Sequence, residues 1–304
     1  MRILLLGTAA GGGFPQWNCR APTSLKAWQG DPAAPQRTQA SIAVSRDGAA
    51  WTLINASPDL RAQIMANPAL WPAQAWPGEG LRHSPIADVV LTGGEIDFIT
   101  GLLSLREGHR FALHGTAETL GTIDANPIFG ALPAERVPRR PIALDVPFEV
   151  AGGVTVTAFD VAGKVPLYLE GAGNDLTGRK GTTIGLEITD DTRRVVFVPG
   201  CAAIDEALRR RIDGADLLLF DGTLWQDDEM ILLGASAKTG YRMGHVSMSG
   251  PDGTMARLAD LSIGRRIFIH INTTNPALVD GTSQRAAATA AGWHVPVDGE
   301  EIHL

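Results

Sequence analysis

The feature that most constrains this chain is a series of short apolar bursts recurring along nearly its whole length. Each runs about four to six residues and is rich in Val, Ile, Leu and Phe, as buried strands are. They fall at Arg2–Leu6, Ser41–Val44, Trp51–Ile54, Asp88–Leu91, Arg110–His114, Thr155–Phe159, Thr183–Ile188, Val195–Val198, Leu217–Phe220 and Arg266–Ile271. Turn clusters separate them. Helical periodicity is clearest at Ser57–Met65, Gly101–Arg106, Ile204–Arg211, Gly253–Ala259 and Ser283–Ala290, and Pro58 after Ser57 gives the first of these an N-cap and N1 pair. So many strands with a few helices between them predict an α/β protein of two packed mixed sheets with outer helices. Asn67 to Pro85 is rich in proline and tryptophan, but strand pattern resumes on both sides, so it reads as a surface loop. The expected partition is one domain over residues 1–304.

Charge and composition narrow the function. A net charge of −7 without a basic stripe argues against a nucleic-acid partner. The apolar run before Gly7 is too short for the core of a signal peptide, and no stretch approaches the roughly 18 apolar residues of a spanning helix. The two cysteines, Cys19 and Cys201, offer no disulfide framework and fit a reducing, cytoplasmic setting.

Five segments carry residues suited to chemistry. Gly7 to Cys19 follows the first strand and holds Gly11-Gly12-Gly13, Trp17 and Asn18. Its spacing matches neither G-x-G-x-x-G nor the Walker pattern. A tight loop over the sheet end, or a loop lining a pocket beside Trp17 and Asn18, accounts for it. Asp97 lies at a strand-to-helix junction, where a turn or helix-cap carboxylate competes with a metal ligand. Asp221 closes a strand in Phe220-Asp221-Gly222-Thr223, and His245 sits in the glycine loop Met243-Gly244-His245. His270, between Ile269 and Ile271, reads either as a core histidine or as a ligand; Asn272 and Asn275 extend polar character beyond it. Two histidines with one carboxylate suit a non-haem Fe(II) site with open positions. The candidate set is Asp97, His245 and His270, with Asp221 as alternate carboxylate. His83, His109, His114, His294 and His303 lack motifs and default to surface or capping roles, and Asp227-Asp228-Glu229 reads as a solvated face.

Taken together, the chain resembles the coenzyme PQQ synthesis protein B family. The resemblance rests on Gly7–Gly13 with Pro15–Cys19, Arg37-Thr38-Gln39, Asn55–Arg61, Thr100–Gly108, Asp221–Trp225, Arg242–His245 and His270–Pro276. It implies a metallo-β-lactamase-like αββα sandwich. It also implies an iron-dependent oxygenase that hydroxylates the tyrosine ring of a Glu-Tyr precursor of pyrroloquinoline quinone (PQQ). The alternative is a non-catalytic carrier of PQQ or its precursor, with a role in transport to the periplasm. Metal-dependent hydrolysis, as in ribonuclease Z relatives, is a third.

Carried onto this sequence, the metal ligands would be Asp97, Asp221, His245 and His270, with His245 and Asp221 also catalytic. Trp17, Asn18, Arg61 and Arg106 are candidates for substrate or cofactor contact, the arginines pairing with dipeptide carboxylates. The chain departs from the pattern in three places. Metallo-β-lactamase folds carry H-x-H-x-D-H where this chain has Gly93, Glu95, Asp97 and Phe98. Cys201 stands where relatives often place a bridging aspartate. Cys19 is followed by Arg20, Ala21, Pro22, Thr23 and Ser24, so the family's C-x-C-x-x-C structural zinc knot is not expected.

Overall fold

Alternating apolar positions along the strands build two facing layers. In the computed structural model, which describes residues 1–73, 81–164, 166, 168 and 180–304, the strands run in chain order as follows. β1 (Arg2–Gly7), β2 (Ser41–Ser45), β3 (Trp51–Ile54), β4 (Ile86–Val90), β5 (Ala112–Gly115) and β6 (Arg139–Pro141) belong to one sheet. β7 (Pro147–Val150), β8 (Val154–Asp160), β9 (Ile184–Thr189), β10 (Arg194–Val198), β11 (Leu217–Asp221), β12 (Arg265–Ile269) and β13 (Trp293–His294) form the other. β14 (Glu301–His303) returns to the first. The orders are β14-β1-β2-β3-β4-β5-β6 and β13-β12-β11-β10-β9-β8-β7, seven strands each. Both are mixed. β3 to β6 run parallel in the first sheet, and β10 to β13 in the second.

Side chains of a strand point alternately to its two faces. Ile3 and Leu5 of β1 therefore pack inward with Ile42, Ile188, Phe197, Leu219 and Ile269 between the sheets. Leu4 and Leu6 face outward with Leu53, Val89, Leu60 and Leu102 under the helices of the first sheet. Val196, Val198, Phe220 and Phe268 pack under Leu208 and Ile212 on the outer face of the second. Each such side chain contributes about 1.5–3 kcal/mol when fully buried. Four layers result: helices, sheet, sheet, helices.

The ten apolar bursts each coincide with a strand, and Trp51–Ile54 has the expected bounds. Four strands carry no such burst: β6, β7, β13 and β14 are short edge or near-edge strands with polar residues or proline, paired through backbone. β12 stops at Ile269, two residues before the expected end, because His270 turns into the left-handed region at φ 59°.

The Ser57–Met65 helix begins only at Leu60, and Ser57 is not its cap. The Ser57 hydroxyl donates instead to Gln63 Oε1, and the preceding turn places Asp59 at the N-cap. Gly101–Arg106 is a 3-10 turn over Thr100–Leu105, following one α-turn at Ile96–Ile99. Helices at Pro22–Trp28, Ala117–Asp124, Glu229–Leu232 and Gly240–Met243 are too short or too polar to declare themselves by period. Within Asn67–Pro85, Trp71 Nε1 donates to the Ile64 carbonyl; residues 74–80 lie outside the described residues. His114 is neither exposed nor a cap. It is buried, bonded to Asp88 Oδ1 at 2.8 Å and stacked on Phe148 of the opposite sheet. Among the described residues no helix is long and apolar enough to cross a membrane.

Candidate metal centre and active site

The parallel strands of both sheets end on the same edge of the sandwich, and their C-terminal ends carry the candidate ligands. Asp221 is the last residue of β11, His270 follows β12, and Cys201 lies just beyond β10. Asp97 follows β4 in the short Ile96–Ile99 helix. The loop after β1 closes over this edge: Ala10 N donates to the Ile271 carbonyl, and Ile271 N to that of Thr8. The Gly93–Thr183 bridge ties the two sheets beside it.

Among the described residues, His270 is one of three non-glycine residues with positive φ. A left-handed histidine costs on the order of 1–3 kcal/mol, which the surroundings must hold in place. Ile271 N donating to the Thr8 carbonyl and Asn272 N to the Thr223 carbonyl do so. The turn swings the imidazole out of the sheet toward Asp97, whose Oδ2 is 2.8 Å from His270 Nε2.

The His245 ring stacks on that of His270 with centroids 5.3 Å apart. Its Nδ1 is 2.7 Å from Asp221 Oδ2. The Thr223 hydroxyl joins all three groups, at 2.7 Å from Asp221 Oδ1, 2.9 Å from His270 Nδ1 and 3.1 Å from His245 Nδ1. Asp221, His245 and His270 each present a ligand atom, all within 4.8 Å of one another.

Electrostatics follow from burial and pairing. Burial alone would raise the carboxyl of Asp97, but the His270 imidazole outweighs it and holds the group below its ordinary range. Burial likewise works against charge on His270, and Asp97, with help from Asp221 and Glu95, raises it. Burial and the neighbouring Asp221 push the Cys201 thiol far up, and its Sγ donates to the Ala203 carbonyl. A thiol so held is not a thiolate ligand. The donor set is therefore imidazole and carboxylate, which suits a divalent transition-metal ion. Phe98, at the edge of the His270 ring (5.7 Å between centroids), fills the space another imidazole would take.

Asp97, Phe98, Thr223, His245 and His270 lie on the wall of a cavity of about 550 Å³, which Glu95, Lys164, Lys238, Met230 and Asn272 also line, while Asp221 is fully buried and bonded to His245. The structure thus brings Asp97, Asp221, His245 and His270 together. Trp17, Asn18, Arg61 and Arg106 do not line this cavity. Trp17 is 80% exposed, and Asn18 accepts from the Gln16 side chain. Arg61 lies on the solvent face of the Leu60–Ala66 helix, and Arg106 donates to the Leu103 carbonyl. Of the glycine loop, Ala10 and Gly11 reach the cavity.

Three features escaped the sequence. Thr223 sits in the quoted Asp-Gly-Thr segment, but only the fold shows it as the hub. Lys164 and Lys238 carry no motif. Glu229, in the run expected to be solvated, is buried because Trp225 and Thr274 fold over it.

Fold and site together define a member of the β-lactamase superfamily: the Beta-lactamase superfamily domain model matches residues 50–271. Over the full length of both chains, the sequence is 56% identical to coenzyme PQQ synthesis protein B of Xanthomonas euvesicatoria pv. vesicatoria. It is 51% identical, again end to end, to the protein of that name from Methylorubrum extorquens. The crystal structure of Zn(2+)-bound PqqB from Methylobacterium extorquens superposes with a TM-score of 0.96 at 49% identity, covering 100% of both chains. A diphosphatase from the PhnP family, at 17% identity and TM-score 0.69 over 99% of this chain and 97% of that one, shares the fold alone. The chain belongs to the coenzyme PQQ synthesis protein B family.

Proposed function

We propose that this chain serves PQQ synthesis as an iron-dependent oxygenase that hydroxylates the tyrosine ring of a Glu-Tyr precursor. The observation that carries the reading is the convergence of Asp221, His245 and His270 within 4.8 Å, with both imidazoles on the cavity wall. Asp97, bonded to His270, is available as a further carboxylate ligand. Bound Fe(II) would supply the redox chemistry that ring hydroxylation needs and that a d10 ion lacks.

The chain's own residues supply the rest. Thr223 fixes the orientation of both imidazoles, and Asp221 holds the His245 ring at Nδ1. Phe98 and Met230 give the cavity apolar surface suited to a phenol ring, while Lys164 and Lys238 put positive charge on its wall for a substrate with two carboxylates.

The test is anaerobic Fe(II) titration, then Glu-Tyr, O2 and ascorbate, with product mass read by mass spectrometry. Stoichiometric iron and a product heavier by one or two oxygens is the expected result. Phenylalanine at position 98, in place of an imidazole, favours the carrier as the second reading. PQQ or its precursor bound without iron and without added oxygen would establish that reading instead.

A further inference from the structure

Beneath the cavity wall lies a polar chain that the metal centre does not use. Glu229 opens the Glu229–Leu232 helix yet is only 5% exposed. Its Oε2 accepts from Trp225 N at 2.8 Å and its Oε1 from the Thr274 hydroxyl at 2.5 Å. A threonine hydroxyl has one proton. With that proton on Glu229, Thr274 Oγ1 can only accept from Asn272 Nδ2, 2.6 Å away. The remaining N–H of the amide points at Met230 Sδ, 3.2 Å away. Both amide protons are thereby engaged inside the wall. Asn272 Oδ1 accepts no hydrogen bond among the described residues, and Asn272 lines the cavity together with His270.

We propose that Glu229 is a positioning residue that locks the Asn272 amide with its carbonyl oxygen toward the cavity, as acceptor for an N–H or O–H group of the bound substrate. This rests on the reading that the cavity holds that substrate. The direction of the chain is set at Glu229, because only a carboxylate offers an acceptor to Trp225 N and another to Thr274 at once. A glutamine there has a single oxygen for two donors. With that oxygen on Trp225 N, its NH2 faces Thr274; the hydroxyl proton turns to Asn272, and the amide reverses to show N–H to the cavity.

The experiment compares wild type, Glu229→Gln and Asn272→Leu at pH 8, where Glu229 is ionised, burial having raised it to about 7. The protein is loaded with redox-inert Zn(II), and Glu-Tyr binding is measured by calorimetry. The expected result is a Kd at least tenfold higher in each variant, no further loss when the two are combined, and Zn(II) affinity within twofold of wild type. Glu-Phe separates the donors. If the phenol O–H meets Asn272, Glu-Phe binds wild type as weakly as Glu-Tyr binds Asn272→Leu; if the ammonium does, Asn272→Leu weakens Glu-Phe tenfold as well.

The Asn272 side-chain 1H–15N signal, identified by its absence from Asn272→Leu, should shift in Glu229→Gln. An unchanged Kd in Glu229→Gln, or a Zn(II) loss that parallels it, overturns the proposal. If wild type binds no Glu-Tyr, the substrate reading fails on its own; the amide signal then decides the inference, a shifted one keeping it and an unshifted one overturning it.

Discussion

The carboxylate of Asp221 rests on the backbone amide of Cys201, 2.9 Å away, across the ends of two adjacent parallel strands. Asp221 is fully buried and also accepts from Thr223 N and the Thr223 hydroxyl while facing His245. A buried carboxylate thus stands one strand over from position 201, and the Cys201 backbone helps to anchor it.

Removing that carboxylate has two separable consequences. Asp221→Ala leaves two buried amides without their acceptor and is expected to cost about 3 kcal/mol or more in urea unfolding, at 1–3 kcal/mol for each unsatisfied group. Asp221→Asn keeps the shape but loses the charge and is expected to lower Fe(II) affinity at least about tenfold. Wild-type iron affinity in Asp221→Asn would remove Asp221 from the ligand set.

Phe98 is buried against the edge of His270, so Phe98→His puts an imidazole beside the existing donors. A further nitrogen ligand is expected to raise Fe(II) affinity at least about tenfold, read by anaerobic titration, with a rise in hydroxylation if the site is impaired by its absence. An unchanged affinity would put position 98 outside the metal shell. His270→Ala is the converse: stoichiometric iron retained in that variant would sink the assignment of His270.

Much of this was legible in the sequence, and the reason is physical. A buried strand must be apolar for several residues, so β1, β3, β10 and β11 announce themselves. Edge strands such as β6 (Arg139–Pro141) need only backbone pairing and leave no such trace. The convergence of the candidate ligands was legible because imidazole and carboxylate at strand ends are few. Thr223 and Glu229 were not, since their roles arise from partners 47 and 45 residues away in sequence. Arg61 and Arg106 fall outside the cavity lining, since charge complementarity to a substrate says nothing about which way a side chain turns.

Without metal, Asp97 and His270 should give the protein a pH signature. Asp97 is depressed, so its contribution is present above its unfolded value of 3.8 and lost as pH falls through the folded one. His270 is raised, so its contribution is present below its unfolded value of 6.5 and lost as pH rises through the folded one. The stability lost in Asp97→Asn is therefore expected to be greatest between 3.8 and 6.5 and to shrink on both sides, as measured by urea unfolding of metal-free protein. A cost that is flat with pH would show that the pair is not ionic.

Glu229 should act with the opposite sign to Asp97. Burial raises it from 4.5 to about 7 against the pull of Thr274 and the Trp225 and Gln226 amides, so the folded state holds a proton that the unfolded chain has released. Wherever the folded state binds more protons, stability falls as pH rises. Across 4.5 to about 7 the wild type is expected to lose up to about 3 kcal/mol from this residue, at 1.36 kcal/mol per unit. Glu229→Gln has no such proton to lose. Its stability relative to wild type should therefore climb steadily from pH 4.5 to 7 in paired urea titrations and level off above. A difference that stays constant over that range would mean Glu229 is already ionised at pH 4.5 in the folded protein, its donors having overcome burial.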